Sequence, residues 1–130
     1  MIAADTSTWI GFLQGGGGED AELLDRALQD RQVLVVPAVL TEVLSDPKLP
    51  SEVSKTLLDL PFIEAEPGYW QRAGELRASV LAKRRKARLG DALIAQTCID
   101  RGIPPLTRDR DFLVFADAAG LDFVVGPAAD

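Results

Sequence analysis

The sequence predicts an α/β domain, a sandwich built on a mainly parallel sheet. Three observations predict it. Short apolar or β-branched runs recur at 2–5, 33–36, 62–65, 104–107 and 121–126, and runs of this length read as buried strands. Stretches with apolar residues three and four apart separate them, which is the helical period. Strands that alternate with helices in this way assemble as a parallel sheet covered by helices. A chain of 130 residues, 47% hydrophobic, fits a single domain with one core over 1–130.

The first strand, Ile2 to Asp5, ends on a carboxylate, an unusual place for a charge. Thr6 to Leu13 follows as a helix with Trp9, Ile10 and Leu13 on one side, and Trp9 and Phe12 read as core. "QGGGGED" at 14–20 breaks structure; with no Gly-Lys-Ser/Thr it reads as a turn, not a phosphate loop. Glu19 to Asp30 is amphipathic through Ala21, Leu24, Ala27 and Leu28. "VLVV" at 33–36 is a strand bounded by Pro37, a residue suited to a first helical turn. "AVLTEVLSD" continues as that helix, "DPKLP" stops it, and 51–59 form another. "FIEA" is a brief strand. From Pro67 a long helix is expected through Arg85, with Trp70, Ala73, Leu76, Val80 and Leu81 inward. Asp91 to Asp100 is an apolar helix stopped by Gly102. "PPLT" is a strand, "RDFLVFADAAG" a helix and "LDFVVG" a last strand.

Composition narrows the chemistry. The chain has no histidine and one cysteine, Cys98. Histidine-dependent nucleophilic catalysis is excluded, as are zinc sites built on His and Cys. Cys98 falls in a helical apolar pattern and reads as a buried thiol. No apolar run reaches the length of a membrane span and no secretory signal is visible, so a cytoplasmic location is expected. The net charge is −6. Attraction to a polyanion must therefore come from local basic patches and metal ions.

Ligands of an open parallel sheet bind beyond the carboxyl ends of its strands. Asp5 closes the first strand, Glu42 lies about a turn into the helix leaving the second, Asp91 begins an apolar helix, and Asp109 and Asp111 follow Leu106-Thr107. Each has an ordinary alternative. Asp5, Asp91, Asp109 and Asp111 suit helix starts, and Glu42 suits a solvated face. Together they suggest more. Two carboxylates ~4 Å apart repel by about 4 kcal/mol at an effective dielectric of ~20. A divalent cation turns such a crowd into a site, and Mg²⁺ and Mn²⁺ prefer oxygen ligands. Asp109 and Asp111 diverge by about 200° on a helix, so Asp109 is the firmer candidate.

"DTSTW", "PAVLTEVL" and "GDALIAQTCIDRGIPPLTRDRDF", in this order and ahead of a last apolar strand, resemble the PIN domain, and more narrowly the VapC-type toxin ribonucleases of bacterial toxin–antitoxin pairs. The resemblance covers nearly the whole chain. It implies a Rossmann-like α/β/α sandwich and a Mg²⁺- or Mn²⁺-dependent endoribonuclease that hydrolyses RNA with metal-activated water. It puts catalytic acids at Asp5, Glu42, Asp91 and Asp109, metal ligands at Asp5, Asp91, Asp109 and Asp111, and orienting hydroxyls at Thr6, Ser7 and Thr107. It implies a small VapB-like antitoxin, whose arginine would suit the acidic pocket, and homodimers are common in the family. Two other readings of this fold are a non-catalytic scaffold and a stand-alone nuclease without antitoxin. A haloacid-dehalogenase-type phosphatase needs an aspartate where Ser7 stands, and a receiver domain needs a late lysine, absent beyond Lys86.

Basic residues crowd "KRRKAR": Lys83, Arg84, Arg85, Lys86 and Arg88, immediately before Asp91. They read either as a solvated helix end or as a phosphate track toward RNA. Arg108 and Arg110, flanking Asp109, are further candidates for that track.

Overall fold

The computed structural model describes residues 1–126. Two short strands, β1 (Ala3–Ala4) and β2 (Pro105–Leu106), pair in parallel. Single parallel bridges extend the sheet: Ile2 to Val33, Val35 to Phe62, and Leu106 to Val125. Laid side by side, the segments run 62, 33–35, β1, β2, 125. The chain thus starts in the middle, moves to one edge, then returns to build the other. The crevice where the order reverses lies between β1 and β2, and ligands of doubly wound sheets bind at its carboxyl end.

Among the described residues seven α-helices accompany these segments: α1 (Thr6–Leu13), α2 (Glu19–Gln29), α3 (Pro37–Leu44), α4 (Ser51–Leu58), α5 (Tyr69–Ala82), α6 (Leu89–Arg101) and α7 (Leu113–Ala119). Local chemistry sets their ends. Asp5 caps α1 through the backbone N–H of Thr8. Pro37 opens α3, where its missing N–H costs nothing. Gly102 ends α6 at φ 63, a left-handed cap that suits glycine. The core joins Ala3, Ala4, Val33, Val35 and Leu106 of the sheet to Trp9, Leu24, Ile94, Phe112 and Phe115 of the helices. Burying each large apolar side chain contributes about 1.5–3 kcal/mol. Trp9 is buried and meets Phe12 edge-on at 6.2 Å.

Several expectations are corrected. The helix expected through Arg85 ends at Ala82, and Arg84 takes a left-handed backbone at φ 57, so the basic run 83–88 is a turn and loop. Within α5 the buried stripe is Tyr69, Ala73, Leu76 and Val80. Trp70 and Leu81 lie one position off that stripe and are exposed, Trp70 to 71%. On α1, Ile10 is likewise exposed. Helix α6 starts at Leu89, so Asp91 stands inside its first turn. The segment expected as one helix from Arg110 divides into a short 3-10 turn, Arg110–Phe112, and α7. The strands expected at 33–36, 62–65 and 121–126 are reduced to bridges. Among the described residues no helix is long and apolar enough to cross a membrane.

Candidate metal centre

Asp5 stands at the carboxyl end of β1, 3% exposed. Its carboxylate accepts hydrogen bonds from the Thr8 backbone N–H at 2.9 Å, from Ser7 Oγ at 2.7 Å, and from the Thr107 hydroxyl at the end of β2. Burial raises its pKa, and the bonds from Thr107, Thr8 and Ser7 pull it part of the way back. Thr107 is wholly buried and serves two acids at once. Its proton goes to Asp5, while its oxygen accepts the Asp109 N–H at 3.1 Å. The strand pairing that joins β1 to β2 therefore also joins Asp5 to Asp109.

Glu42 lies in the second turn of α3 and accepts from Thr6 Oγ1 at 2.6 Å. Its carboxylate rests against Gly90: a Cβ there would stand 3.1 Å from Glu42 Oε2. The next residue is Asp91, half-buried in the first turn of α6. Burial, and then the negative charges of Asp109, Glu42 and Asp5, push the Asp91 carboxyl up to about 6, although Arg88 opposes them. The four acids from four separate segments thus converge on one edge of the sheet. Asp109 caps the 3-10 turn and accepts the Asp111 N–H at 2.9 Å. Asp111 itself turns to Arg88, at 3.4 Å.

Among the described residues no three acid or thiol groups are close enough together to ligate one ion as they stand. The chemistry of the set nevertheless fits a hard divalent cation: every donor is oxygen, and burial, then its neighbours' negative charge, disfavour the bare Asp91 carboxylate.

The basic residues divide. Arg85 pairs with Asp117 at 2.7 Å and Arg88 with Asp111. Lys83, Arg84 and Lys86 are exposed and make no ion pair among the described residues. Arg110 is exposed and partnered. Arg108 pairs not with its neighbour Asp109 but with an acid far back in the chain. Its guanidinium reaches Asp20 at 2.8 and 3.0 Å and the Gly17 carbonyl at 3.3 Å. A Cβ at Gly11 would overlap that guanidinium, and Gly18, at φ 132, borders it. Gly11, Gly17 and Gly18 thus form a seat for Arg108, and the ion pair moors the segment that carries Asp109.

Three contributors escaped the sequence reading. Asp20 is 5% exposed and also accepts from Thr8 Oγ1 at 2.8 Å; an acid right after a glycine run looks like an ordinary helix start. Gly90 leaves room for Glu42, and its place directly before Asp91 was the available signal. The cavity beside Glu42, lined in part by Tyr69 and Trp70, carried no signal once Trp70 was assigned to the core.

The PIN domain family model matches residues 2–119, and the chain belongs to that family. Its doubly wound parallel sheet and surrounding helices are the fold which that membership entails. The fold is similar to that of a chain in the crystal structure of FitAcB from Neisseria gonorrhoeae. The two share 17% identity over 98% of this chain and 97% of that one, with a TM-score of 0.65. No curated protein matches the chain significantly in sequence.

Proposed function

We propose that this PIN domain is a Mg²⁺- or Mn²⁺-dependent endoribonuclease, the VapC-type toxin of a type II toxin–antitoxin pair. The observation that supports the reading is geometric: Thr107 joins Asp5 to Asp109, Thr6 beside Asp5 bonds Glu42, and Glu42 rests against Gly90, the neighbour of Asp91. Asp5, Asp91 and Asp109 would hold the cation, with Asp111 reached only by release from Arg88. Bound there, the ion would lower the pKa of water and stabilise charge on a phosphodiester.

The protein's own groups do the positioning. Ser7, the Thr8 N–H and Thr107 fix the Asp5 carboxylate, and Thr6 fixes Glu42. Glu42 is exposed, and its carboxylate would take a proton from an incoming water. Lys83, Arg84 and Lys86 offer positive charge to an RNA backbone, in a chain otherwise acidic. The antitoxin would approach the same acidic pocket, where an arginine side chain matches the carboxylates.

The test has two parts. Mn²⁺ should raise the melting midpoint of the wild type, since a ligand of the native state stabilises it, and Asp5→Asn with Asp91→Asn should remove that response. Expression in bacteria should arrest growth and cut RNA in the wild type, and neither variant should do so. Equal toxicity of the variants would defeat the mechanism.

A further inference from the structure

Next to the acid cluster is a cavity of about 350 Å³ that phosphodiester hydrolysis alone does not use. It opens where the first turns of α3, α5 and α6 approach one another. Ile63 and Leu93 line it, and Trp70 and Leu89 stand at its walls with 71% and 60% of their surface exposed. Tyr69 braces the indole edge-on, ring centres 5.0 Å apart. Tyr69 is itself pinned, donating its hydroxyl proton to the Leu93 carbonyl at 2.7 Å. Glu42 and Gly90 form a wall shared with the acid cluster. The loop carrying Lys83, Arg84 and Lys86 leads directly into Leu89.

We propose that this cavity is a nucleobase subsite: an unpaired base of single-stranded RNA stacks on Trp70 while a neighbouring phosphodiester lies over the acids. The proposal rests on the nuclease reading for its substrate and deepens it. Three features favour a base. Single strands are held by aromatic platforms beside positive charge, because every base has a π-face. Here Tyr69 braces the platform from the side, and unpaired cations lie on the loop that leads to Leu89 at the same cavity. The shared Glu42 wall makes the cavity continuous with the site where the backbone would be cut. A second copy of the chain is the competing occupant. Stable interfaces bury about 800 Å² per partner, more than two exposed apolar side chains around a concavity supply.

The experiment uses the full chain and a mixed-sequence, end-labelled single-stranded RNA. In an Asp91→Asn background, which should bind without cutting, RNA should quench Trp70 fluorescence. Adding Trp70→Ala should weaken binding about tenfold, the size of effect one stacked base gives. Trp70→Phe should recover most of it. Because Trp70 is so exposed, neither change threatens folding. In the cutting-competent protein with Mn²⁺, Trp70→Ala should raise KM with kcat little altered. Unchanged affinity and KM in Trp70→Ala would overturn the subsite. So would loss of a dimer in sedimentation with RNA affinity intact, which would assign the cavity to a second copy. The two readings fail separately. A wild type that cuts nothing yet binds RNA through Trp70 sinks the nuclease and keeps the subsite, and cleavage indifferent to Trp70 does the reverse.

Discussion

Replacing Asp20 by alanine should test how the Arg108 mooring supports the fold. The carboxylate is 5% exposed and accepts three hydrogen bonds, from Thr8 Oγ1, Arg108 Nε and Arg108 Nη2. Thr8 has no exposed surface, so its hydroxyl would be left buried without an acceptor, at a cost of about 1–2 kcal/mol. The Arg108 side chain is 35% exposed and can turn to water, so its share is screened to about 0.5–1 kcal/mol. The sum is about 1.5–3 kcal/mol. At about 4 °C per kcal/mol for a domain of this size, the thermal midpoint should fall by about 6–12 °C. Urea and thermal melts of wild type, Asp20→Ala, Arg108→Ala and the double variant measure both, and the double variant should lose less than the two singles together. The pH dependence has a definite sign. Burial raises the Asp20 carboxyl, but the bonds from Arg108 and Thr8 outweigh it and hold it below its ordinary value. The unfolded chain therefore takes up the proton first. The stabilisation is present above the unfolded pKa and is lost as pH falls through the lower folded one. The gap between wild type and Asp20→Ala should narrow in acid. A loss under about 0.5 kcal/mol at neutral pH, or a gap that widens in acid, would refute the reasoning.

Thr107→Val keeps the shape but strips the hydroxyl shared by Asp5 and the Asp109 N–H. It should cost about 1–3 kcal/mol in a urea melt and blunt the Mn²⁺ response, while Thr107→Ser restores both. Gly90→Ala gains up to about 1 kcal/mol of helix propensity, but its methyl group would press on Glu42 at 3.1 Å. Stability should change little while RNA cleavage falls; undiminished cleavage would free Glu42 of any need for that gap. Cys98 is buried, and burial, with the Asp5 charge, pushes its thiol up to about 12. An aromatic disulfide reagent should label it only at the rate of unfolding, and fast native-state labelling would contradict its placement.

The fold was legible wherever the sequence carried its own punctuation. Asp5, Pro37 and Gly102 mark helix ends by cap chemistry, and α1 to α4 lie within a residue or so of where the pattern puts them. The sheet was legible as a sequence of apolar runs, but not as bridges one or two residues wide. Pairing partners are chosen by tertiary packing, which no local pattern encodes. In α5 the apolar residues 69, 70, 73, 76, 80 and 81 span more than one face. The spacing selects Trp70 as inward, but Tyr69 takes that place and fixes it with a hydroxyl bond to α6, leaving Trp70 outside. The apolar spacing from Pro67 carries the expected helix through Arg85, yet α5 ends at Ala82 and Arg84 turns left-handed. Within the candidate site Asp5 and Asp109 stand out as charges just past apolar strands, and Glu42 and Asp91 as charges in largely apolar helices. Arg108 was not, because its partner lies 88 residues away behind a glycine run.

The parallel pairing of β1 with β2 joins the first few residues of the chain to a segment a hundred positions later. During synthesis Asp5, Glu42 and Asp91 leave the ribosome before Thr107 and Asp109. Until that later segment pairs with β1, the cluster lacks one of its four acids and the hydroxyl that holds Asp5. Stalled chains arrested before residue 105 should accordingly ignore Mn²⁺, and a response from them would show that the late strand is dispensable.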